Sequence, residues 1–482
     1  MTSDGSKPGL DPSDWQEFRA AAHDLLDACI DRLASASEHP WQPTPEEVRA
    51  TYALAETGGG MKDPAQLAND LRDSVLPYGT GNTHPRFFGW VHGTGLAEGL
   101  LSEMVAATMN ANCGGRDHGT IYVERAVIDW TRRVMGFPES SSGVLVTGTS
   151  QATVIALQAA RLRALGADMR TKGQNGRWLT AYAGAGAHNA ARKAVELLGL
   201  GHENLRRIPE GDAGLDLDAL REKIAEDRAA GAIPFAIIGT AGSVDFGRFD
   251  DLNALADIAT DEGLWLHVDG AFGAWTRLAD SPWKELTDGI GRADSLACDF
   301  HKWMYVPYDC GLCLIRNEDE HRAAFAARPS YLAAQDSGLA GGDPWYCDYG
   351  IDLSRGNRAL KVWSAIRAHG PDGLGRAITD NCRRAAQMGE LVSSTPGMRL
   401  MAPVVSNLCV FTADETLSPD AQSALNSAIA QKLQLSGEVV FSTTLAQDVT
   451  CLRAAITNHR TRPEDIELSI AAVVREAAAS RT

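Results

Sequence analysis

The apolar positions along this chain follow two different periods, and the change between them divides the chain into regions. Apolar side chains recur every three or four residues over 14–37, from Trp15 to Leu33, which predicts a helix. A second short helix is predicted over 44–57, because Thr44 and Pro45 form a typical helix start. Residues 1–85 are too few and too one-sided to hold a good core alone. We therefore expect a helical arm that packs on something larger, such as a second subunit.

From residue 86 the pattern changes to short apolar runs that alternate with helical segments. Helices are predicted at 149–165, 187–198 and 249–262. Strands are predicted at 143–147, 178–182, 235–239, 264–268, 295–298 and 311–315. This alternation predicts an α/β domain over 86–375, in which a mostly parallel sheet is covered by helices on both faces. Ligands of such sheets bind beyond the carboxyl ends of the strands.

Residues 376–482 are predicted to form a smaller α+β domain. It follows a helix at 355–369, which His369, Gly370 and Pro371 are expected to end. Strand candidates lie at 408–411, 439–441 and 451–456, and a last helix is predicted at 462–479.

Charge and composition narrow the class of partner. The 482 residues carry a net charge of −17, which argues against nucleic acid or an anionic membrane as the main partner. No apolar run approaches the roughly 20 residues of a membrane span, and the first residues lack a signal-peptide pattern. The nine scattered cysteines suggest reduced thiols and a cytoplasmic location. Cys310 and Cys313 lie in an apolar run, which favours buried core cysteines over redox or metal chemistry, and no metal site is predicted.

Two short segments carry the most informative chemistry. Asp299-Phe300-His301-Lys302-Trp303 and His267-Val268-Asp269-Gly270-Ala271 each follow an apolar run. Among apolar neighbours Lys302 is expected to lose solvation, which lowers the pKa of its amine and favours imine formation with an aldehyde. Asp269 suits a pyridinium nitrogen that must stay protonated, although it could instead cap the next helix. Ala271 is small enough to lie against a flat ring. The combination predicts pyridoxal phosphate as cofactor.

Further candidates for cofactor binding follow other strands. Thr149 and Ser150 stand at a strand-to-helix turn, where hydroxyls and free backbone N–H groups suit a phosphate but also suit helix capping. His188 opens a helix, where its imidazole could stack on a flat cofactor or serve the helix alone. Thr240 follows the strand at 235–239 and could hydrogen-bond a ring substituent or cap a turn.

These residues, in this order, closely resemble the group II pyridoxal-phosphate-dependent amino acid decarboxylases, the family of aromatic L-amino acid decarboxylase and glutamate decarboxylase. The resemblance covers about residues 70–466. It implies the type I fold, similar to aspartate aminotransferase, and a homodimer with active sites at the subunit interface. The N-terminal helices of each subunit would then embrace the other subunit. The implied roles are a covalent cofactor link for Lys302, a ring-nitrogen contact for Asp269, stacking for His188, and phosphate contacts for Thr149, Ser150 and His301.

The resemblance also bears on the reaction and the substrate. Tyr331 falls where the family has a mobile loop whose tyrosine returns a proton to the substrate carbon, and relatives that make aldehydes typically have another residue there. Arg453 resembles an arginine that holds the substrate carboxylate, or it could make a structural salt bridge. Trp90 and His92 stand where aromatic-specific members place an aromatic-rich pocket wall, and His92 departs from that pattern.

The predicted function is the decarboxylation of an L-amino acid, preferably aromatic, to an amine and CO2. Glutamate, 2,4-diaminobutyrate and other small or polar substrates remain open as alternatives. So do two other outcomes with the same cofactor, which are oxidative deamination to an aldehyde and carbon–carbon lyase chemistry. A catalytically inactive scaffold is the alternative from a different class, and the intact set of Lys302, Asp269 and His188 argues against it.

Overall fold

The computed structural model describes residues 10–54, 60, 63–327 and 335–480, and its first helices lie on the surface. The helices are α1 (Trp15–Ala34), α2 (Glu46–Thr51) and α3 (Pro64–Asp70). The Asp14 carboxylate caps α1 by accepting the backbone N–H groups of Gln16 and Glu17. The predicted first helix is confirmed, while α2 ends six residues before the predicted position. Along α1 the apolar side chains of Trp15, Phe18 and Ile30 remain exposed.

Strands and helices alternate through the middle of the chain, as the sequence pattern predicted. The elements are β1 (Phe87–Phe88), α4 (Glu98–Met109), α5 (Gly119–Val134), β2 (Ser142–Val146), α6 (Thr149–Leu165), α7 (Met169–Lys172), β3 (Leu179–Gly184), α8 (Asn189–Leu197), β4 (Leu205–Ile208), β5 (Glu210–Gly211), β6 (Gly214–Leu215), α9 (Leu217–Ala229), β7 (Ile233–Thr240), α10 (Leu252–Glu262), β8 (Trp265–Asp269), β9 (Ser295–Asp299), β10 (Gly311–Ile315) and α11 (Glu318–Phe325).

Seven of these strands form one large sheet in the order β2-β10-β9-β8-β7-β3-β4. The pairs β3–β4, β3–β7, β7–β8 and β8–β9 are parallel, and β10 runs antiparallel to both of its neighbours. The predicted mostly parallel sheet is therefore confirmed. The edge strand β4 was missed, because its sequence Leu-Arg-Arg-Ile offers only two apolar residues to a pattern search.

Helix α6 covers the centre of this sheet and begins and ends where it was predicted. It contacts β8, β9 and β10, and ten of its residues are buried. Alanines at 152, 156, 159 and 160 allow the helix to approach the sheet closely. The start of α6, at Thr149, is thereby fixed beside the ends of β8 and β9.

The last part of the chain begins with the long helix α12 (Ala359–Ser394). Gly370, with φ 63° and ψ 172°, breaks this helix just before Pro371. The predicted break is confirmed, but the prediction that the helix ends there is wrong, since α-helix resumes directly after the break. The later elements are β11 (Arg399–Leu400), β12 (Leu408–Thr412), α13 (Pro419–Leu435), β13 (Val440–Ala446), β14 (Val449–Ala455) and α14 (Pro463–Ala479).

A second sheet connects the N-terminal segment to the last part of the chain. Its order is β1-β13-β14-β12-β11, and β1 pairs with β13 in parallel. Because β1 belongs to this sheet, the residues that follow it, from Gly89 to Gly93, are held between the two sheets. The domain boundaries proposed at residues 85 and 375 stay predictions.

Two other sequence-based expectations concern cysteines and membranes. All nine cysteines lie in the described ranges and are free thiols. Cys310 and Cys313 are fully buried in the large core, as predicted, and burial raises the pKa of both thiols. Among the helices that the structure describes, none has the length and apolar character needed to cross a bilayer.

Candidate active site

A cavity of about 540 Å³ opens at the carboxyl ends of the parallel strands. Five elements end or begin at its edge, namely β2, β7, β8, β9 and α6. Ten of the residues singled out from the sequence line it: Trp90, His92, Thr149, Ser150, His188, Thr240, Asp269, Ala271, His301 and Lys302. Arg453 lies behind the lining, and Tyr331 lies outside the described residues. The folded chain therefore brings together side chains that are more than 200 positions apart.

Lys302 lies in the loop after β9 and forms an ion pair with Asp299. The distance from Lys302 Nζ to Asp299 Oδ2 is 2.8 Å. Burial alone would lower the pKa of Lys302, but Asp299, with smaller contributions from Asp269 and Tyr308, raises it above the ordinary lysine value. The predicted depression of the lysine pKa is therefore wrong. The apolar neighbours of Lys302 favour a lowered pKa, whereas the carboxylate of Asp299, three residues earlier in the chain, favours a raised one.

The Asp299 carboxylate also contacts the start of α6. Its Oδ1 accepts the backbone N–H of Thr149 at 2.7 Å. This approach requires glycine at position 311. A Cβ on Gly311 would lie 2.7 Å from Asp299 Oδ1 and 2.6 Å from the Cα of Gly148, closer than real Cβ contacts. Asp299 thus joins the lysine loop to the turn that was predicted to bind phosphate.

Asp269 stands at the end of β8 with its side chain in the cavity lining. Its Oδ1 accepts the backbone N–H of Ala271 at 3.2 Å, and its own carbonyl accepts the N–H of Ala241 at 2.8 Å. Burial raises the pKa of this carboxyl, and the charges of Lys302 and His188 only partly oppose the shift. A buried carboxylate of this kind is stabilised by a cation placed against it.

Thr240 ends β7 beside Asp269, and a second buried acid supports it from behind. Asp250 Oδ2 accepts the backbone N–H of Thr240 at 2.7 Å, and its Oδ1 accepts that of Leu215 at 2.8 Å. Burial raises the pKa of Asp250 to about 6. These bonds fix the backbone of Thr240, which lines the cavity. Its hydroxyl makes no hydrogen bond to the described residues.

Three rings lie around the lysine loop. His188 caps α8, where its Nδ1 accepts the backbone N–H of Ala190 at 3.2 Å, and its side chain also lines the cavity. Both interpretations offered for His188 are therefore compatible with its position. The His301 ring lies 4.4 Å from that of Tyr308 between centroids, and its Nδ1 lies 3.0 Å from the carbonyl oxygen and 3.1 Å from the nitrogen of Cys310. Burial lowers the pKa of His301.

The outer wall of the cavity comes from the segment after β1. The His92 ring stacks on Phe87 at 5.7 Å and lies 5.6 Å from Trp90. This segment reaches the lysine loop because Gly93 has no side chain, since a Cβ there would lie 1.7 Å from the carbonyl oxygen of His301. Trp90 has a positive φ of 53°, uncommon for a bulky residue, and is half exposed.

Arg453, on β14, holds this wall from behind. Its Nη1 donates to the carbonyl of Trp90 at 3.2 Å and to Ser442 Oγ at 3.0 Å, and its Nη2 donates to the carbonyl of Val244. Burial lowers its pKa to about 10. Trp90 and Val244 both line the cavity, so Arg453 shapes its outline. Its predicted contact with a substrate carboxylate stays a prediction, as does the proton-donor role of Tyr331.

Two lining residues were missed from the sequence as functional candidates, namely Asp299 and Tyr308. Asp299 stands three positions before Lys302, but a carboxylate at the end of a strand does not by itself indicate a role. Tyr308 follows Lys302 by six positions in the connection to β10. An aromatic residue close behind the lysine was the available signal.

The side chains in the cavity fit pyridoxal phosphate. Three buried polar atoms find no hydrogen-bond partner among the described residues and belong to the lining: Thr149 Oγ1, Thr240 Oγ1 and His92 Nδ1. The Thr149 hydroxyl suits a phosphate, and the Thr240 hydroxyl suits a substituent of the pyridine ring. The Lys302 amine suits the aldehyde, and the buried Asp269 carboxylate suits the pyridinium nitrogen. Buried polar groups are normally paired, so these atoms mark where a ligand binds.

Comparison with known proteins agrees with this assignment. The model of the pyridoxal-dependent decarboxylase conserved domain matches residues 55–414, and the chain belongs to this family of pyridoxal-phosphate-dependent enzymes. Aromatic-L-amino-acid decarboxylase of Bacillus atrophaeus is 29% identical over 477 residues, covering 96% of this chain and 97% of that protein. Phenylacetaldehyde synthase of Arabidopsis thaliana is 26% identical over 466 residues, covering 94% of each.

A solved structure supports the fold. The crystal structure of Oryza sativa TDC with PLP and tryptamine superposes with a TM-score of 0.88 at 23% identity, covering 98% of this chain and 100% of that one. The predicted type I fold is thereby confirmed.

Proposed function

We propose that this enzyme decarboxylates an L-amino acid to the corresponding amine and CO2, with aromatic amino acids as preferred substrates. The observation that carries the proposal is the convergence of Lys302, Asp269 and the start of α6 on one cavity. Bound pyridoxal phosphate supplies an aldehyde for the substrate amine and a ring that accepts the electron pair of the broken bond. The rest of the work falls to residues of this chain.

Each cofactor-binding residue has a separate role. Lys302 would be the residue that holds the cofactor covalently. The Asp269 carboxylate would keep the ring nitrogen protonated, and His188 and Ala271 would lie against the ring. Thr149, Ser150 and His301 would hold the phosphate, and the Thr240 hydroxyl would hydrogen-bond a ring substituent.

The substrate preference is inferred from the outer wall. The rings of Trp90, His92 and Tyr308 line the open side of the cavity, with Phe87 packed behind them, and a flat aromatic side chain can pack against these three rings. The Bacillus relative bears the name of an aromatic amino acid decarboxylase, in agreement with this inference. The His92 imidazole adds a ring nitrogen, Nδ1, left unpaired within the described part of the chain, to this mostly aromatic wall.

A second outcome, oxidative deamination to an aldehyde, is kept because one relative is named phenylacetaldehyde synthase. We favour the amine, because Tyr331 stands at the position where the family carries its proton-donating tyrosine. Replacement of Tyr331 by Phe is expected to reduce amine formation and to raise the share of aldehyde and peroxide. An unchanged product ratio would remove Tyr331 from the mechanism.

We further propose that the enzyme is a cytoplasmic homodimer. The exposed apolar side chains of α1, together with Leu101, Met104 and Val105 on α4, provide surface for a second copy. Trp90 and Tyr308, at the cavity mouth, are also about half exposed, and a partner subunit there would complete the wall. The nine free thiols are in keeping with a reducing compartment. Light scattering on the purified protein tests the dimer.

The deciding experiment measures CO2 release from the twenty standard amino acids, DOPA and 5-hydroxytryptophan, with amine, aldehyde and peroxide assayed in parallel. Release of CO2 with equal amounts of amine from aromatic substrates is the expected result. Preference for glutamate or diaminobutyrate would contradict the substrate class alone. Absence of CO2 from the whole panel would contradict the decarboxylase function.

A further inference from the structure

We propose that Asp299 holds the Lys302 amine as a cation until the cofactor arrives, because its carboxylate pairs with that amine and also accepts the backbone N–H at the start of α6. The inference rests on the proposed function, because it concerns how Lys302 takes up the same cofactor. Asp299 acts through Lys302 and Thr149. Asp299 stands at the end of β9, between the lysine that would hold the cofactor and the helix start that would hold its phosphate.

The position of the carboxylate is fixed from several sides. Asp299 is 2% exposed, its backbone N–H donates to the carbonyl of Ala271 at 2.9 Å, and its carbonyl accepts the indole N–H of Trp275 at 2.9 Å. One carboxylate oxygen lies 2.8 Å from Lys302 Nζ and the other 2.7 Å from the N of Thr149. The carboxylate fits because Gly311 has no side chain, since a Cβ there would lie 2.7 Å from Asp299 Oδ1.

The arrangement sets a condition for binding a phosphate. The Thr149 N–H is one of the helix-terminal donors that a phosphate would use, and here it points at a carboxylate. A phosphate at this turn brings a second anion close to Asp299, and the Lys302 cation lies against that acid. The balance between these charges therefore controls how readily Lys302 gives up its proton and reacts.

Other charged and titratable groups that act on Lys302 come from several elements. Asp269 ends β8, Tyr308 and His301 lie in the β9–β10 connection, and His92 follows β1. Burial opposes the charged lysine, and among the groups that favour the charge Asp299 ranks before Asp269 and Tyr308. Removing the Asp299 charge is therefore expected to lower the pKa of Lys302, so that more amine is neutral at pH 7.

The test follows cofactor attachment to the full-length protein without any amino acid present. Protein freed of cofactor is mixed with pyridoxal phosphate across a range of pH, and the absorbance change on attachment gives a rate. In Asp299→Asn the midpoint of the pH profile is expected to fall by about one unit or more, with a roughly tenfold faster attachment at neutral pH for each unit. The variant keeps a side-chain oxygen for the Thr149 N–H.

Asp250→Asn is the matched control, because Asp250 is also a buried acid that accepts two backbone N–H groups near the cavity. Its profile is expected to keep the midpoint of the unaltered protein. A purely structural role for Asp299 predicts slower attachment at every pH with an unmoved midpoint, and that result would overturn the proposal. An equal shift in the Asp250 variant would overturn it as well.

A second measurement needs no variant and covers the case in which Asp299→Asn does not fold. The pH dependence of Lys302 acylation in the unaltered protein, followed by mass spectrometry of its peptide, is expected to show a midpoint above that of ordinary lysine. A midpoint below that value would refute the inference. CO2 release is assayed separately, so a shifted attachment profile without CO2 would support the inference while contradicting the proposed function. Unaltered protein that attaches no cofactor contradicts both.

Discussion

The two sides of the cavity are built in different ways. The inner side consists of strand ends, where Asp269, Asp299 and Lys302 follow neighbouring strands of one sheet and are held by backbone hydrogen bonds. The outer side consists of Trp90 and His92, which follow a two-residue strand of the other sheet. Arg453 supports Trp90 through its carbonyl, and Thr457 donates to the carbonyl of His92. The inner side is buried, whereas Trp90 is 52% exposed.

This difference separates the two tasks of the enzyme. A sheet edge gives fixed positions to groups that must meet the same cofactor in every reaction cycle. A wall assembled from distant segments can change its shape without disturbing that edge. Such a wall can therefore determine which substrate the enzyme accepts. Substitutions on the inner side should therefore affect attachment and turnover, and those on the outer side mainly the Michaelis constant.

Lys302→Ala should have the largest effect, because it removes the amine that binds the cofactor. We expect CO2 release to fall by at least roughly a thousandfold, or about 4 kcal/mol of transition-state stabilisation. The loss of the absorbance of the attached cofactor provides an independent measurement. Lys193→Ala, on the exposed face of α8, is the control and should keep the activity of the unaltered enzyme. A Lys302 variant with normal turnover would refute the assignment of the inner side.

Asp269→Asn should lower kcat by about 100-fold, because the ring nitrogen loses the carboxylate that keeps it protonated. The covalent attachment to Lys302 should survive, since its amine is intact. Comparing kcat with the absorbance of the attached cofactor distinguishes these two consequences. If both were unchanged, Asp269 would act only as the N–H acceptor for Ala271.

Gly311→Ala should destabilise the inner side by roughly 1–3 kcal/mol, because its Cβ would press on Gly148 and on the Asp299 carboxylate. Chemical denaturation measures the loss in free energy of unfolding. The control is Gly350→Ala, whose Cβ would meet Ile155 and Val144 at ordinary distances of 3.5 Å and more. Equal stability of the two variants would show that Gly148 and the Asp299 carboxylate can move away from a Cβ at position 311 at no cost in free energy.

Arg453→Lys should have the smallest effect, a rise in KM of about fivefold with kcat less changed, since the loss of a carbonyl contact costs about 1 kcal/mol. The reason is that lysine cannot reach the carbonyls of Trp90 and Val244 together, so the outer side loosens. Steady-state kinetics with an aromatic substrate measures the two constants. A fall in kcat as large as the rise in KM would instead favour direct contact between Arg453 and the reacting carboxylate.

Local patterns were sufficient for much of the fold and for the cofactor side. The apolar runs before Asp269 and Lys302 and the helix from Thr149 to Leu165 could be located because each is continuous in the chain. Edge strand β4 and the continuation of α12 beyond Gly370 were not predicted. In both cases packing against a neighbouring element overrides a weak local signal.

The sequence by itself determined the class of chemistry, since an amine and a carboxylate placed after buried strands of a parallel sheet must meet at one edge. The tertiary structure alone decided the charge environment of Lys302, where a through-space ion pair with Asp299 opposes the effect of burial. It also placed Arg453 behind the wall, through contacts spanning hundreds of positions. Such contacts depend on how distant segments pack, and the periodicity of any one segment carries no record of them.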